Sequence, residues 1–267
     1  MKKSLVLAAV LAAVMANAAF ASERSHKARK HDSPSPAPEQ TWAGCYVGGN
    51  GGGGLGLQTG DRAIINVFNP TVMAGIGIPT SYGVADHGAI GGGQIGCNYQ
   101  NGTFVYGMEA DLQGGGLRGS STVTTVPGGG ADSTTGTAQQ RLDWFGTVRG
   151  RIGFTPSENL LLYGTAGLAY GGVKDSATLV FSAPADGNYA GANSETRVGW
   201  TAGAGAEYAL AANWSMKFEY LFVDLGKTNV QILDPTRPGQ YMTYAFREQD
   251  NVFRLGLNYK FGGVFVP

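Results

Sequence analysis

From Trp42 onward, apolar and polar residues alternate with a period of two, the spacing that sends neighbouring side chains to opposite faces of a β-strand. In Asp250–Phe261, Phe253, Leu255, Leu257, Tyr259 and Phe261 share one face, while Arg254, Gly256, Asn258 and Lys260 share the other. Between Gln139 and Phe154, Leu142, Trp144, Val148, Ile152 and Phe154 oppose Arg141, Asp143, Thr147, Arg149 and Arg151. Phe104, Tyr106, Met108 and Leu112 oppose Glu109, Asp111 and Gln113. Trp214, Met216, Phe218, Tyr220 and Phe222 oppose Ser215, Lys217 and Glu219, and Val198, Trp200 and Tyr208 oppose Arg197, Thr201 and Glu207.

The pattern predicts strands near 43–57, 88–100, 103–118, 139–154, 160–173, 195–208, 213–226 and 249–261. Long connectors fall at 58–87, 119–138, 174–194 and 227–248, and short ones at 101–102, 155–159 and 209–212, with Asn101-Gly102 a tight-turn pair. Long and short connectors alternating, with both chain ends on the short side, predict an all-β fold: an eight-stranded antiparallel up-and-down transmembrane barrel with four long extracellular loops and three short periplasmic turns. Each segment is long enough to cross a bilayer at a tilt. A soluble, lipocalin-like barrel would show the same alternation with its apolar face inward. Charges of both signs on the polar face, and aromatics near strand ends on the apolar face, favour the membrane version.

Composition changes the picture at the N-terminus. Lys2 and Lys3 precede an apolar run from Leu5 to Ala16, too short for a spanning helix, and Ala19-Phe20-Ala21 fits a signal-peptidase site. Residues 1–21 are expected to be a cleaved signal, cut between Ala21 and Ser22. Residues 22–41 carry basic side chains and a Pro-x-Pro-x-Pro run with almost no large apolar residue, the composition of a flexible periplasmic tail. The chain holds 44 Gly and a balanced 19 basic and 19 acidic residues. Zero net charge argues against a nucleic-acid partner, which requires a basic excess.

The opening Trp42-Ala43-Gly44-Cys45-Tyr46-Val47-Gly48-Gly49-Asn50 resembles W-x-G-x-Y-x-G-x-N, and Gly91–Gln100 resembles GGGQIGYNYQ, of a family of small α-proteobacterial outer-membrane β-barrels of the porin-family, OmpA/OmpX-like type. Tyr163–Gly171 and Asn251–Phe261 are similar to its fifth and eighth strands. The resemblance covers residues 42–261 and implies an eight-stranded barrel in the outer membrane of a Gram-negative cell, among lipopolysaccharide and other outer-membrane lipids. Such proteins usually present a C-terminal aromatic to the barrel-assembly machinery. Here the chain continues to residue 267, so Tyr259 and Phe261 are expected to serve.

Cys45 and Cys97, the two cysteines, lie on outward faces near the periplasmic ends of neighbouring strands, where a disulfide or two free thiols are both admissible. The polar faces gather Glu109, Asp111, Arg141, Asp143, Arg149, Arg151, Arg197, Glu207, Lys217, Glu219, Arg254 and Lys260. A barrel of eight strands is just wide enough for its own side chains, so these charges are expected to pair into a plug, or else to line a narrow path for ions or small solutes. His87, Asp86 and loop hydroxyls could be drawn as a catalytic triad, but their spacing does not support one, and no cofactor motif or Cys/His metal cluster is present. Gly49-x-Gly51-x-x-Gly54 lacks the following helix that a dinucleotide site requires. The composition and pattern therefore point to a non-enzymatic envelope protein with a structural or surface role, with a channel and an adhesin or ligand-binding protein as alternatives. An extracellular ligand or a host surface would be met by the long loops.

Overall fold

A computed structural model describes residues 41–66, 78–126, 133–182 and 187–261. The expected signal and its cleavage site, most of the 22–41 tail and the 262–267 extension lie outside the described residues. Eight antiparallel strands follow in order: β1 (Gly44–Asn66), β2 (Ser81–Asn101), β3 (Phe104–Thr125), β4 (Thr134–Ser157), β5 (Leu160–Phe181), β6 (Asn188–Ala211), β7 (Trp214–Leu233) and β8 (Tyr241–Phe261). Each pairs with its sequence neighbour, and β8 closes on β1 from Cys45↔Phe261 to Asn66↔Tyr241. Closure leaves no edge strand, so backbone polar groups are satisfied within the sheet.

At one end the connections are as short as the alternation predicts. Gly102, at φ +59°, permits the tight turn between β2 and β3. At the other end the strands run much further than expected. Residues 134–138, 174–181, 188–194, 227–233 and 241–248, assigned to loops from sequence, are strand. The connections there shrink to 67–80, 126–133, 182–187 and 234–240.

The outer face divides by height. A lower aromatic belt includes Phe104, Phe154, Tyr208, Trp214 and Tyr259, all solvent-facing. An upper belt holds the edge-on pair Trp144–Tyr170, with centroids 6.1 Å apart, and the pair Trp200–Phe222 at 5.3 Å. Between them lie exposed Met108, Leu112, Val148, Ile152, Leu168 and Leu255. The stretch from Trp144 to Phe154 matches the roughly 9–11 residues needed to cross a bilayer at a tilt. Above the upper belt the barrel continues out of the membrane.

The lumen is layered, and β8 shows the order along its inward positions. Arg254 is followed upward by Val252, then Asp250 and Glu248, then Phe246, Tyr244 and Met242. Other strands agree. Glu219 on β7 gives way to Leu221 and Val223, then to Thr228, then to Val230 and Ile232. A lowest apolar cluster of Trp42, Val105, Leu161, Tyr163 and Ala209 lies toward the short-turn end. A middle cluster includes Leu117, Leu142, Phe145, Val173 and Val252. The uppermost includes Tyr82, Leu179, Tyr189, Ile232 and Phe246.

Glycines on the inward face of β1 leave space for this filling. A Cβ at Gly54 would stand 2.7 Å from Leu117 Cδ2, and one at Gly56 would stand 2.7 Å from Asp250 Oδ1. The space of the missing side chains on β1 is thus taken by side chains of β2, β3 and β8, Asp86 among them.

Candidate functional site

Between the lowest and middle apolar layers, eight charged side chains from five strands meet across the lumen. They are Glu109 and Asp111 of β3, Arg149 and Arg151 of β4, Glu207 of β6, Lys217 and Glu219 of β7, and Arg254 of β8. None is more than 5% exposed. Arg149 is the hub: its Nη2 donates to Glu109 at 2.5 Å and to Asp111 at 2.9 Å, and its Nη1 to Glu219 at 3.1 Å. Arg254 donates from Nη2 to Asp111 at 2.8 Å and from Nε to Glu219 at 2.7 Å. Lys217 Nζ donates to both oxygens of Glu109, at 2.7 and 2.8 Å.

A second group lies toward the short-turn end. Arg151 donates to Glu207 at 2.8 Å, and Glu207 also accepts from Ser215 and Asn258. The Arg151 guanidinium sits 4.2 Å from the Tyr163 ring centroid and 5.7 Å from that of Tyr46. Tyr46 links the groups: its hydroxyl donates to Glu109 at 2.6 Å and accepts from Arg151 at 2.8 Å. Tyr163 donates to Glu219 at 2.9 Å. Four cations face four carboxylates, so the layer is neutral. Buried charges are tolerated when paired and hydrogen-bonded in this way.

Four residues expected in the network stand elsewhere. At Asp143 the register slips: Leu142 pairs with Val173 and Trp144 with Gly172, leaving Asp143 as a bulge. One extra residue inverts the facing of everything above it. Leu142 therefore turns inward, while Arg141 turns outward and forms a short ion pair with Asp143. Arg197 lies where β6 has no register partner on β7, between Ala190 and Trp200; it binds Glu195 at 3.3 Å and the Lys227 carbonyl. Lys260 reaches the lumen mouth and donates to the Thr41 carbonyl.

Tyr46 and Tyr163 belong to the site although the charge pattern did not mark them; Tyr46 has inward parity on β1. A further polar layer also escaped the sequence. Asp86, Glu248 and Asp250 each bring a carboxylate oxygen within 4.8 Å of the others, and Gln140 Nε2 donates to Glu248 at 2.7 Å. Among the described residues this is the group whose oxygens could share a hard cation. It draws on β2 and β8, far apart in sequence, so no local motif announces it. Asp86 is buried and His87 exposed, on opposite faces of β2, so the triad drawn from sequence does not assemble.

Cys45 and Cys97 are direct register partners on β1 and β2 and are joined by a disulfide, with Cα atoms 3.9 Å apart. Tyr259 and Phe261 end β8 with exposed rings; Tyr259 packs against Trp214, centroids 5.1 Å apart.

A closed ring of strands, an apolar outer band between two aromatic belts and an ionic lumen define an integral outer-membrane β-barrel protein. The chain belongs to the outer membrane protein beta-barrel domain family, whose model matches residues 5–261. It is 36% identical over 261 residues to the 31 kDa outer-membrane immunogenic protein of Brucella melitensis, covering 97% of this chain and all of that one. It is 30% identical over 226 residues to the 22 kDa outer membrane protein of Rhizobium leguminosarum bv. viciae, covering 84% of this chain and 80% of the relative. Among solved structures, OprG of Pseudomonas aeruginosa aligns with a TM-score of 0.45 at 15% identity, over 82% of this chain and 96% of that one.

Proposed function

We propose that this protein is a closed structural and surface barrel that supports the integrity of the outer membrane and offers no solute path through its lumen. The observation that carries this reading is the neutral layer of eight buried, paired charges, with apolar clusters above and below it. A permeating ion would have to separate Arg149 from three carboxylates, and breaking such a buried network costs about 3–5 kcal/mol. The polar-faced extension above the upper belt suits exposure at the cell surface, and the names of the Brucella relatives describe immunogenic outer-membrane proteins. In this reading Tyr259 and Phe261 form the element offered to the barrel-assembly machinery, and the protein has no catalytic role.

Planar-bilayer recording of the folded protein tests the proposal. The expected record shows no discrete openings above the bilayer baseline. Stable openings whose size or ion selectivity changes in Arg149→Gln or Arg151→Gln would overturn it in favour of a narrow channel.

A further inference from the structure

Just above the upper aromatic belt, the outer wall carries basic side chains in an unbroken cross-strand row. His87 on β2 pairs in register with Arg118 on β3, Arg118 pairs with Arg141 on β4, and Arg141 pairs with Lys174 on β5. All four are exposed. Like charges directly opposite on neighbouring strands repel, so such a row needs an anion in front of it. The chain supplies one carboxylate: Asp143, displaced outward at its bulge, pairs with Arg141 and lies 2.8 Å from Lys174 Nζ. No carboxylate among the described residues forms an ion pair with Arg118 or His87.

The opposite wall carries cations too, with Lys227 directly opposite Arg247, but there Arg247 is paired with Asp224 at 2.8 Å and the neighbouring Arg197 with Glu195 at 3.3 Å. The longer run of cations, four in adjacent register on four strands, is on β2–β5. There the wall holds an open groove of about 760 Å³ lined by the basic row together with Ser120, Gln139, Ser176 and Ser194, and at its floor by the buried Asp175. At its exposed rim the groove combines cations with neutral hydrogen-bonding groups, as an oxyanion site requires, while Asp175 lies buried beneath them.

Height identifies the anion. Arg141 stands immediately above the Asp143 bulge and Trp144, and Lys174 lies two outward positions above Tyr170. The apolar band ends there, so the row sits at the headgroup level of the outer leaflet. Directly below, Leu112, Val148 and Leu168 present an exposed apolar wall. A ligand matching both surfaces carries acidic groups at one end and acyl chains at the other. We infer that Arg118, Arg141 and Lys174, with His87 at the edge, bind the acidic headgroup of lipopolysaccharide while its acyl chains lie against the band beneath.

The test uses the purified full-length protein in non-ionic detergent, titrated with purified lipopolysaccharide. Binding is expected to weaken as salt rises, because the contacts are between exposed charges. Arg118→Gln alone should weaken it about fivefold, and the triple variant R118Q/R141Q/K174Q about a hundredfold, taking the usual contribution of a basic side chain at a charged lipid surface. The triple variant should also lose the salt dependence. Removing two cations from the opposite wall, in K227Q/R247Q, should leave affinity within about twofold of the unaltered protein. Lipopolysaccharide stripped of its acidic groups should bind the unaltered protein as weakly as intact lipopolysaccharide binds the triple variant. Heat-modifiable gel migration checks that each barrel is folded; if the triple variant is not, R118Q and the salt titration still decide. Equal binding by R118Q and the unaltered protein, salt-independent binding, or an equal loss in K227Q/R247Q would overturn the inference. So would a soluble polyanion without acyl chains that binds as tightly as lipopolysaccharide and displaces it.

Discussion

The lower and upper halves of β8 use one alternation to opposite ends. In the lower half Arg254 points inward and is almost fully buried, while Phe253, Leu255 and Leu257 point outward. In the upper half Phe246, Tyr244 and Met242 point inward, and Arg247 points outward. The inward parity is unbroken from Asn258 to Met242; what changes is the medium outside. Where lipid meets the wall, apolar residues gain nothing by facing inward, and the lumen takes the charges, provided they pair. Where water meets the wall, ordinary hydrophobic burial returns and the lumen becomes an apolar core. Solvent, rather than the strand pattern, decides which face is the inside of the protein.

The largest expected effect breaks the membrane half at its hub. Arg149→Met removes the cation that touches Glu109, Asp111 and Glu219, leaving three carboxylates to Lys217 and Arg254. A loss of about 3–5 kcal/mol is expected, since an uncompensated buried charge remains. Urea-induced unfolding in lipid vesicles measures it. A loss below about 1 kcal/mol, the range of a surface ion pair, would mean that the lumen is wet and the plug weak.

A smaller effect sharpens the boundary between the halves. Leu168 and Thr178 both lie on the outward face of β5, one level with the middle of the apolar band and the other above the upper belt. Leu168→Arg is expected to cost about 2–4 kcal/mol, the penalty of an arginine facing lipid near the midplane. Thr178→Arg should change stability by no more than about 0.5 kcal/mol, as for an ordinary surface substitution. Equal costs at both positions would place Thr178 in lipid too and dissolve the comparison.

That boundary explains what the sequence discloses. The lower strands are legible because apolar and charged residues contrast strongly across each one, as in Phe253–Phe261. Parity names all eight charges of the plug, together with four that stand elsewhere. The upper strands are not legible. In Thr134–Gln140 the outward residues are Thr135, Thr137 and Gln139 and the inward ones are Thr134, Gly136, Ala138 and Gln140, small and polar enough to read as loop. Their strand character comes from neighbours: Ala138 pairs with Ala177 and packs beside Tyr82 and Leu179. The Asp143 bulge is equally hidden, because an insertion of one residue leaves no composition signal and yet moves Arg141 from the expected network to the outer wall. The acidic layer depends on β2 meeting β8 over Gly56 of the intervening β1, which no local window contains.

The smallest effect tests the water-exposed end where two connections touch. Asp234, in the β7–β8 connection, accepts from Thr236 N at 2.9 Å, Thr236 Oγ1 at 2.8 Å and Asn188 N at 3.2 Å. Gly187, at φ +85°, leaves room for it, since a Cβ there would crowd the Asp234 carboxylate. Hydrogen bonds from the Thr236 backbone and hydroxyl hold the Asp234 carboxyl below its usual range. A depressed folded value means the tether is fully present above the ordinary aspartate value, about 3.9, and is lost as pH falls through the lower folded one. The amide proton of Thr236, followed by NMR, should therefore hold its shift from neutrality to about pH 4 and move below it. Asp234→Asn should flatten that response while leaving heat-modifiable migration and the membrane half unchanged. A Thr236 amide that titrates identically in Asp234→Asn would mean that another group orders this end, and Asp234 would no longer count as a pH-sensitive tether between β6 and the β7–β8 connection.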